Sequence, residues 1–597
     1  MDQLWSASTT MRNPERTLSF LQAVVGIEGE VWNDTTQCKY QSLLIKNRFY
    51  TPTAKNLPDD LYAIIQDYSH EMTYEEAAEI FMRKQYVDAP MRGRTSFDPL
   101  EKLGLVELVP RGNGTKTVAI TDFGRMFLDG RIDLGEMVFT SLLKTQFPFP
   151  LSNGFREYSI KPFIGTLRLI RRVNELCKEA GLPAHGISRE EFGIFVLSLK
   201  NYRKIDATAE RLLAFRQGKK DCNNDNERAA FVSFFIADYL SDFHNAEKNI
   251  QEYSDNIIRY LRLTKYVYIR GGGYYIDLEP RRMIEINSIL EADSGAAIKF
   301  ESSAAYTRYI SDYRAYTLPF ETVTSLTEIA RRIAFENNTL SANLGIAAEA
   351  VEIPTTADEL KKIIIALRER RTGLQNLQIR REYQEVERID EAITALSNTL
   401  TRNVRGANRP SVELEKWVNI ALNILNDAIM IKPNAPLGDD NEPTFTAPAG
   451  VPDIECYYDG FGAICEATML TGRDQWYNEG QPVMRHLRSF EQANDARENY
   501  CLFVAPRLHT DTVNTFWTAV KYEYEGRQQK IVPITISGLI DILGAVRDAK
   551  MVYRPFQKED IRRLYDGCVD ISDVSDSTRW PEHIGNTIES WMRGLAG

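Results

Sequence analysis

The run GVPDIECYYDGFGAICEATML, residues 450–470, decides how this chain is read. Asp459-Gly460 stands between two strand-like runs, and Asp-Gly in that setting is the strongest short signal of a β-hairpin with a two-residue turn. A turn there makes opposed residues sum to 919, which sets Asp453 directly across from Glu466. Cross-strand Cβ atoms lie about 4.5 to 5.5 Å apart, so two like charges so placed destabilise the sheet unless something compensates. A divalent cation does so. Hard carboxylate oxygens without Cys or His nearby favour Mg2+ over zinc, and a third acid from the preceding segment would complete the site.

Working outward, residues 411–430 (SVELEKWVNIALNILNDAIM) read as a helix with Leu414, Trp417, Val418, Ala421, Leu422 and Leu425 on one face, flanked by Glu413 and Glu415. Beyond the hairpin, PVMRHLRSFEQAND (482–495) reads as a helix opening after Pro482. YCLFVAP (500–506) and KIVPIT (530–535) read as strands. Pro452-Asp453, followed by Glu466-Ala467-Thr468, is a variant of the PD...ExK pattern of metal-dependent nucleases, with Thr468 at the usual lysine position. Arg485 and His486, at the expected helix start, are placed to meet phosphate or to serve that helix end.

The first half has a different texture. Thr73-Tyr74-Glu75-Glu76 fits a capping box opening a helix, and a second helix is expected from Ser96 to Leu103, stopped by Gly104. VELVP (106–110), a polar loop from Arg111 to Lys116, and TVAIT (117–121) follow as strand, loop and strand, with another helix near Asp122. This is the order of a winged helix-turn-helix. Ser96–Leu103 would be the recognition helix, Arg92 and Arg94 its entry, and Arg111 and Lys116 the wing, all candidate DNA contacts. The order recurs: DNIIRYLRLT as helix, KYVYIR and YYIDL as strands across Gly271-Gly272-Gly273, and EPRRMIEINSIL as helix.

Between and after these units the chain is mostly helical and charged. Residues 161–220 hold 13 Lys/Arg against 6 Asp/Glu, either a phosphate-attracting surface or a solvated helical face. Ser188–Glu191 and Thr356–Glu359 are further capping boxes, and residues 319–404 read as a helical connector ended by NVRGANRP. With 597 residues, 43% hydrophobic and 26% charged, the chain is multidomain and globular. No run reaches the roughly 18 unbroken apolar residues of a membrane span. The N-terminus lacks an apolar signal core, so a cytoplasmic location is expected. Seven scattered cysteines without a CxxC pair read as buried thiols. The net charge of −11 is uneven: residues 1–300 carry 39 basic and 40 acidic side chains, leaving nearly all the excess to the C-terminal half.

Taken together, STTMRNPER, GEVWNDTTQCKYQSLLIKNRFY, GISREEFGIFVLSLKNY and GVPDIECYYDGFGAICEATMLTGRDQWYNEGQPVMRH with YCLFVAP resemble the AlwI-type Type IIS restriction endonucleases, nicking relatives included, over nearly the whole chain. The resemblance implies a multidomain α+β protein, with N-terminal winged-helix-like recognition modules (1–160 and 161–318), a helical connector (319–404) and a C-terminal α/β PD-(D/E)XK-like nuclease domain (405–597). It implies Mg2+-dependent hydrolysis of double-stranded DNA at a fixed distance from a short asymmetric site. By the family motif Asp453, Glu466 and Glu479 are the catalytic acids, with Glu415 on the preceding helix and Glu413 as its rival. Asp453, Glu466 and the Ala467 carbonyl would hold Mg2+, and Thr468, lacking an amine, leaves water activation to the metal and Glu479. Double-strand cutting would take a transient homodimer or a second nuclease subunit. The competing readings are a strand-specific nicking subunit that needs a partner, and a DNA-binding regulator with an inert nuclease-like domain; a purely helical scaffold explains neither the winged units nor the hairpin.

Overall fold

The computed structural model describes the chain except for residues 1–2, 7–10, 12, 68–69, 113, 151–154, 156, 271–274, 402–409, 426–427, 436, 439–442, 444–445, 448–449, 495–496, 553, 555–557 and 597. The expected Gly271–Gly273 turn and the expected boundary near residue 405 lie outside the described residues. The chain forms two compact units, Met1–Ser325 and Leu326–Gly597. Among the described residues no helix is long and apolar enough to cross a membrane.

In the first unit, Thr73 caps the helix Tyr74–Arg83 with the reciprocal Glu76 bond its sequence announced. The next helix spans Ala89–Lys102, opening well before Ser96, because the Asp88 carboxylate accepts from the Met91 amide at 2.9 Å and caps it there. Gly93 and Pro99 both lie inside it, Gly93 ahead of the expected start at Ser96. Gly93 is needed where it is: a Cβ there would sit 2.0 Å from the Gln37 carbonyl oxygen of the helix Asp34–Lys46, so only glycine lets the two backbones cross. Strands β1 (Val106–Pro110) and β2 (Lys116–Ile120) pair antiparallel, and the helix Asp122–Leu128 follows, capped by Thr121. Phe97, Leu100, Leu105, Val118 and Phe123 close one core beneath them.

The second unit of this kind also forms, with an addition. β3 (Ile187–Ser188) joins β4 (Val267–Arg270) and β5 (Tyr275–Leu278) in the order β3-β5-β4, between the helices Ala246–Leu263 and Met283–Ala292. Many cations of 161–220 are held within the fold: Lys161 pairs with Asp293 at 2.8 Å, Arg216 with Glu191 at 2.7 Å, and Arg172 with Glu175, Glu179 and Asp206. Of these acids only Asp293 lies outside 161–220, so the local surplus of positive charge remains.

The other unit begins with helices Val323–Asn343, Ala357–Glu382 and Val386–Leu400. Thr356 does not form the expected capping box; its hydroxyl donates to Glu359 at 2.6 Å instead of accepting an amide. Ile389, Ala392 and Leu396 of the third helix share a core with Leu414 and Val418 and with the sheet, so this part of the expected connector is built into the unit that follows. The helix Pro410–Ile424 stops short of the expected Met430, because Met430–Pro433 is strand β6. The sheet runs β10-β9-β8-β7-β6, with β7 at Ile454–Tyr457, β8 at Phe461–Ala467, β9 at Glu498–Ala505 and β10 at Ile531–Thr535. β8, β9 and β10 are parallel; β7 and β6 return antiparallel. Every residue of β8 is buried, as suits a strand covered on both faces.

Candidate active site

The hairpin register fixes the site. Ile454 opposes Cys465 and Cys456 opposes Ala463, so continuing the ladder by one residue sets Asp453 opposite Glu466, as the Asp-Gly turn required. Gly460, with φ of 99°, supplies the left-handed step in that turn. Asp453 Oδ2 accepts the Ala467 amide at 2.7 Å, which ties the aspartate to the end of β8. Thr468 continues that end, its amide donating to the Val504 carbonyl of β9 at 3.0 Å and its Oγ1 accepting from Leu470 at 3.1 Å.

Two helices bring further acids. Pro410–Ile424 buries Glu415, which accepts the Ala447 amide at 2.9 Å. Glu413, its rival, instead accepts from the Trp417 indole at 3.1 Å. The helix Arg473–Ala493 carries Glu479, whose carboxylate takes a hydrogen bond from Thr468. Pro482 lies inside that helix and does not open it, so Arg485 and His486 are interior residues and the expected helix-start role falls away. His486 Nδ1 lies 2.7 Å from Glu466 Oε1, and it joins the acid cluster directly.

The electrostatics of the group are those of crowded carboxylates. Burial, then Glu466, pushes Asp453 well above the usual range; burial, then Glu479, does the same to Glu466. Glu415 is pushed up to about 9 by burial and by Asp453, and Glu479 to about 7 by burial, with the Thr468 hydroxyl opposing. Burial, then Arg485, lowers His486. A cation among these oxygens would reverse the penalty, and the hard oxygen set suits Mg2+. Among the described residues no three His, Cys, Asp or Glu side chains already surround one point. Asp453 and Glu466 are the carboxylates that the hairpin register sets opposite each other. A cavity of about 190 Å3, lined by Glu415, Asp453, Lys416, Pro433 and Glu382 among others, opens beside them.

The candidate DNA contacts of the first winged unit divide. Arg92 is exposed and stacks over Tyr86 at 4.6 Å, and Lys116 is exposed as the first residue of β2. Arg94, half-exposed, donates to Asp88 at 2.7 Å and Gln37 at 2.9 Å, and Arg111, exposed, donates to Thr117. Two features went unread in the sequence: His486 as a member of the acid cluster, and β6 with Asn434 beside Asp453. Four residues ending in proline carry little strand signal, and a histidine midway along a helix is marked only by its spacing from Glu479.

The site is thus a pair of acids at the end of the central hairpin of a mixed sheet, in a chain whose first unit holds two helix–strand–strand–helix runs. The family model of the AlwI restriction endonuclease matches residues 101–542, and the chain belongs to that family, whose members are site-specific deoxyribonucleases acting on double-stranded DNA. Among solved structures, the small subunit of the heterodimeric restriction endonuclease R.BspD6I is similar over 34% of this chain and 98% of that one, at 18% identity and a TM-score of 0.29. No curated protein matches.

Proposed function

We propose that this restriction endonuclease is a Type IIS enzyme, hydrolysing DNA at a fixed distance from a short asymmetric site with Mg2+. Recognition is assigned to residues 1–160 and 161–318, linkage to 319–404 and hydrolysis to 405–597. The observation that carries the hydrolytic assignment is the convergence of Asp453, Glu466, Glu479 and His486 about one hairpin end.

Asp453, Glu466 and the Ala467 carbonyl are the residues that would hold Mg2+; when bound, the ion supplies polarisation of the scissile phosphate and a lowered pKa for water. The remaining work falls to side chains. Glu479, with a carboxyl near 7 and oriented by the Thr468 hydroxyl, is suited to take a proton from attacking water at neutral pH. His486, held neutral by burial, donates Nδ1–H to Glu466 and fixes that carboxylate's direction. Thr468 supplies a hydrogen bond where the commoner motif supplies a charge. Sequencing the ends of Mg2+-dependent products tests the reading: ends at one constant offset from a shared asymmetric sequence support it, whereas ends inside a palindrome or at scattered positions refute it.

A further inference from the structure

Strand β6 brings a residue to the site that the hairpin alone does not. Its register against β7 pairs Pro433 with Ile454, so the next pair is Asn434 with Asp453. Asn434, Asp453 and Glu466 therefore stand in one cross-strand row on one face of the sheet, the aspartate in the middle. The asparagine makes three hydrogen bonds to this segment, two to backbone carbonyls and one to a side chain. Its amide donates to the Asp453 carbonyl at 2.9 Å, and Nδ2 donates both to the Pro452 carbonyl at 2.8 Å and to Glu455 Oε1 at 2.9 Å.

Glu455 is itself anchored. Its Oε1 also accepts from Lys432 at 3.0 Å, and its Oε2 accepts from the Tyr457 hydroxyl. Pro452 has no amide to offer a neighbouring strand, so of its own backbone groups only the carbonyl can be held. Both Nδ2 hydrogens are used, one on the residue before Asp453 and one on the residue two after it. Rotation of the Asp453 backbone would break both.

We propose that Asn434 is a positioning residue for the hydrolytic reaction, setting the direction of the Asp453 carboxylate by clamping Pro452 and Glu455 on either side of it. This rests on the reading of Asp453 as a metal-holding acid. Residues that orient the groups holding a metal typically cost about 10 to 100-fold in metal affinity or activity when removed. Loss of the clamp leaves the carboxylate present but loosely aimed, so the deficit falls on metal use and turnover, not on DNA affinity.

The test uses the full chain carrying Asn434→Ala or the isosteric Asn434→Asp, which keeps the shape but loses both donors, with Asp453→Asn in parallel. Single-turnover cleavage of plasmid DNA, the Mg2+ concentration for half-maximal rate, Mg2+ binding by calorimetry without DNA, DNA gel shift and thermal melting are measured. The expected result is cleavage about 10 to 100-fold slower in both Asn434 variants, weaker Mg2+ binding, and unchanged melting and gel shift. Wild-type Mg2+ binding and cleavage in both would overturn the proposal, as would slower cleavage with lowered melting and an unmoved Mg2+ requirement. If Asp453→Asn cuts normally, the active-site reading itself fails, a result distinguishable from failure of the clamp alone.

Discussion

His486 Nδ1 sits 2.7 Å from Glu466 Oε1, a contact that joins a mid-helix residue to the end of the central strand. Burial, then Arg485, lowers the histidine, which disfavours a charged imidazolium in this pair. His486→Ala should therefore slow cleavage by about 100-fold, the scale of a lost acid-base or orienting group, with DNA binding retained. Single-turnover rates alongside gel shifts check this.

The crowding of Asp453, Glu466, Glu479 and Glu415 predicts a pH-dependent stability. Glu415 and Glu479 titrate in the unfolded chain near 4.5 but in the folded chain near 9 and 7. Over that window the folded state binds more protons, so its stability falls as pH rises from about 4.5 toward 9. Mg2+ binding to the folded site should cancel much of the fall. Melting in EDTA and in Mg2+ across this range measures both, and Glu466→Gln should flatten the EDTA curve and abolish the Mg2+ effect.

At Gly93 the structure leaves no room. Gly93→Ala would place a methyl 2.0 Å from the Gln37 carbonyl oxygen, backbone against backbone, so the helices must separate. Overpacking of this kind costs about 1 to 3 kcal/mol or more, and the helix Ala89–Lys102 would shift with it. Chemical denaturation and gel shift should fall together while cleavage chemistry on bound DNA persists.

Arg92 and Lys116 are exposed, whereas Arg94 is tied to Asp88 and Gln37. If the first winged unit meets DNA, Arg92→Ala and Lys116→Ala should each weaken binding and lower the salt slope by about 1. Arg94→Ala should act mainly on the stability of the helix Ala89–Lys102, whose capping residue Asp88 it pairs with.

Sequence reading reached some of this structure for identifiable reasons. A tight turn fixes register, so Asp459-Gly460 was enough to place Asp453 opposite Glu466, and side-chain caps such as Thr73 mark helix starts locally. What escaped depends on distant contacts. The helix Ala89–Lys102 starts ahead of the expected Ser96 because Gly93 packs on Asp34–Lys46, a contact distant in sequence. Pro482 read as a start because local rules cannot see that Glu479 and His486 must share one helix to reach one site. β6 exists through its ladder with β7, and its own residues continued a helical pattern instead. The candidate DNA-contact residues are legible as charges, but the pairing of Arg94 with Gln37 is a tertiary fact.

The central claim is that phosphodiester hydrolysis occurs at the Asp453 and Glu466 hairpin end. It is tested most directly by Asp453→Asn, assayed for cleavage and for specific DNA binding on one preparation with Mg2+ present. The account predicts cleavage reduced below detection with gel-shift affinity near that of the unaltered protein. Cleavage at an undiminished rate would contradict it.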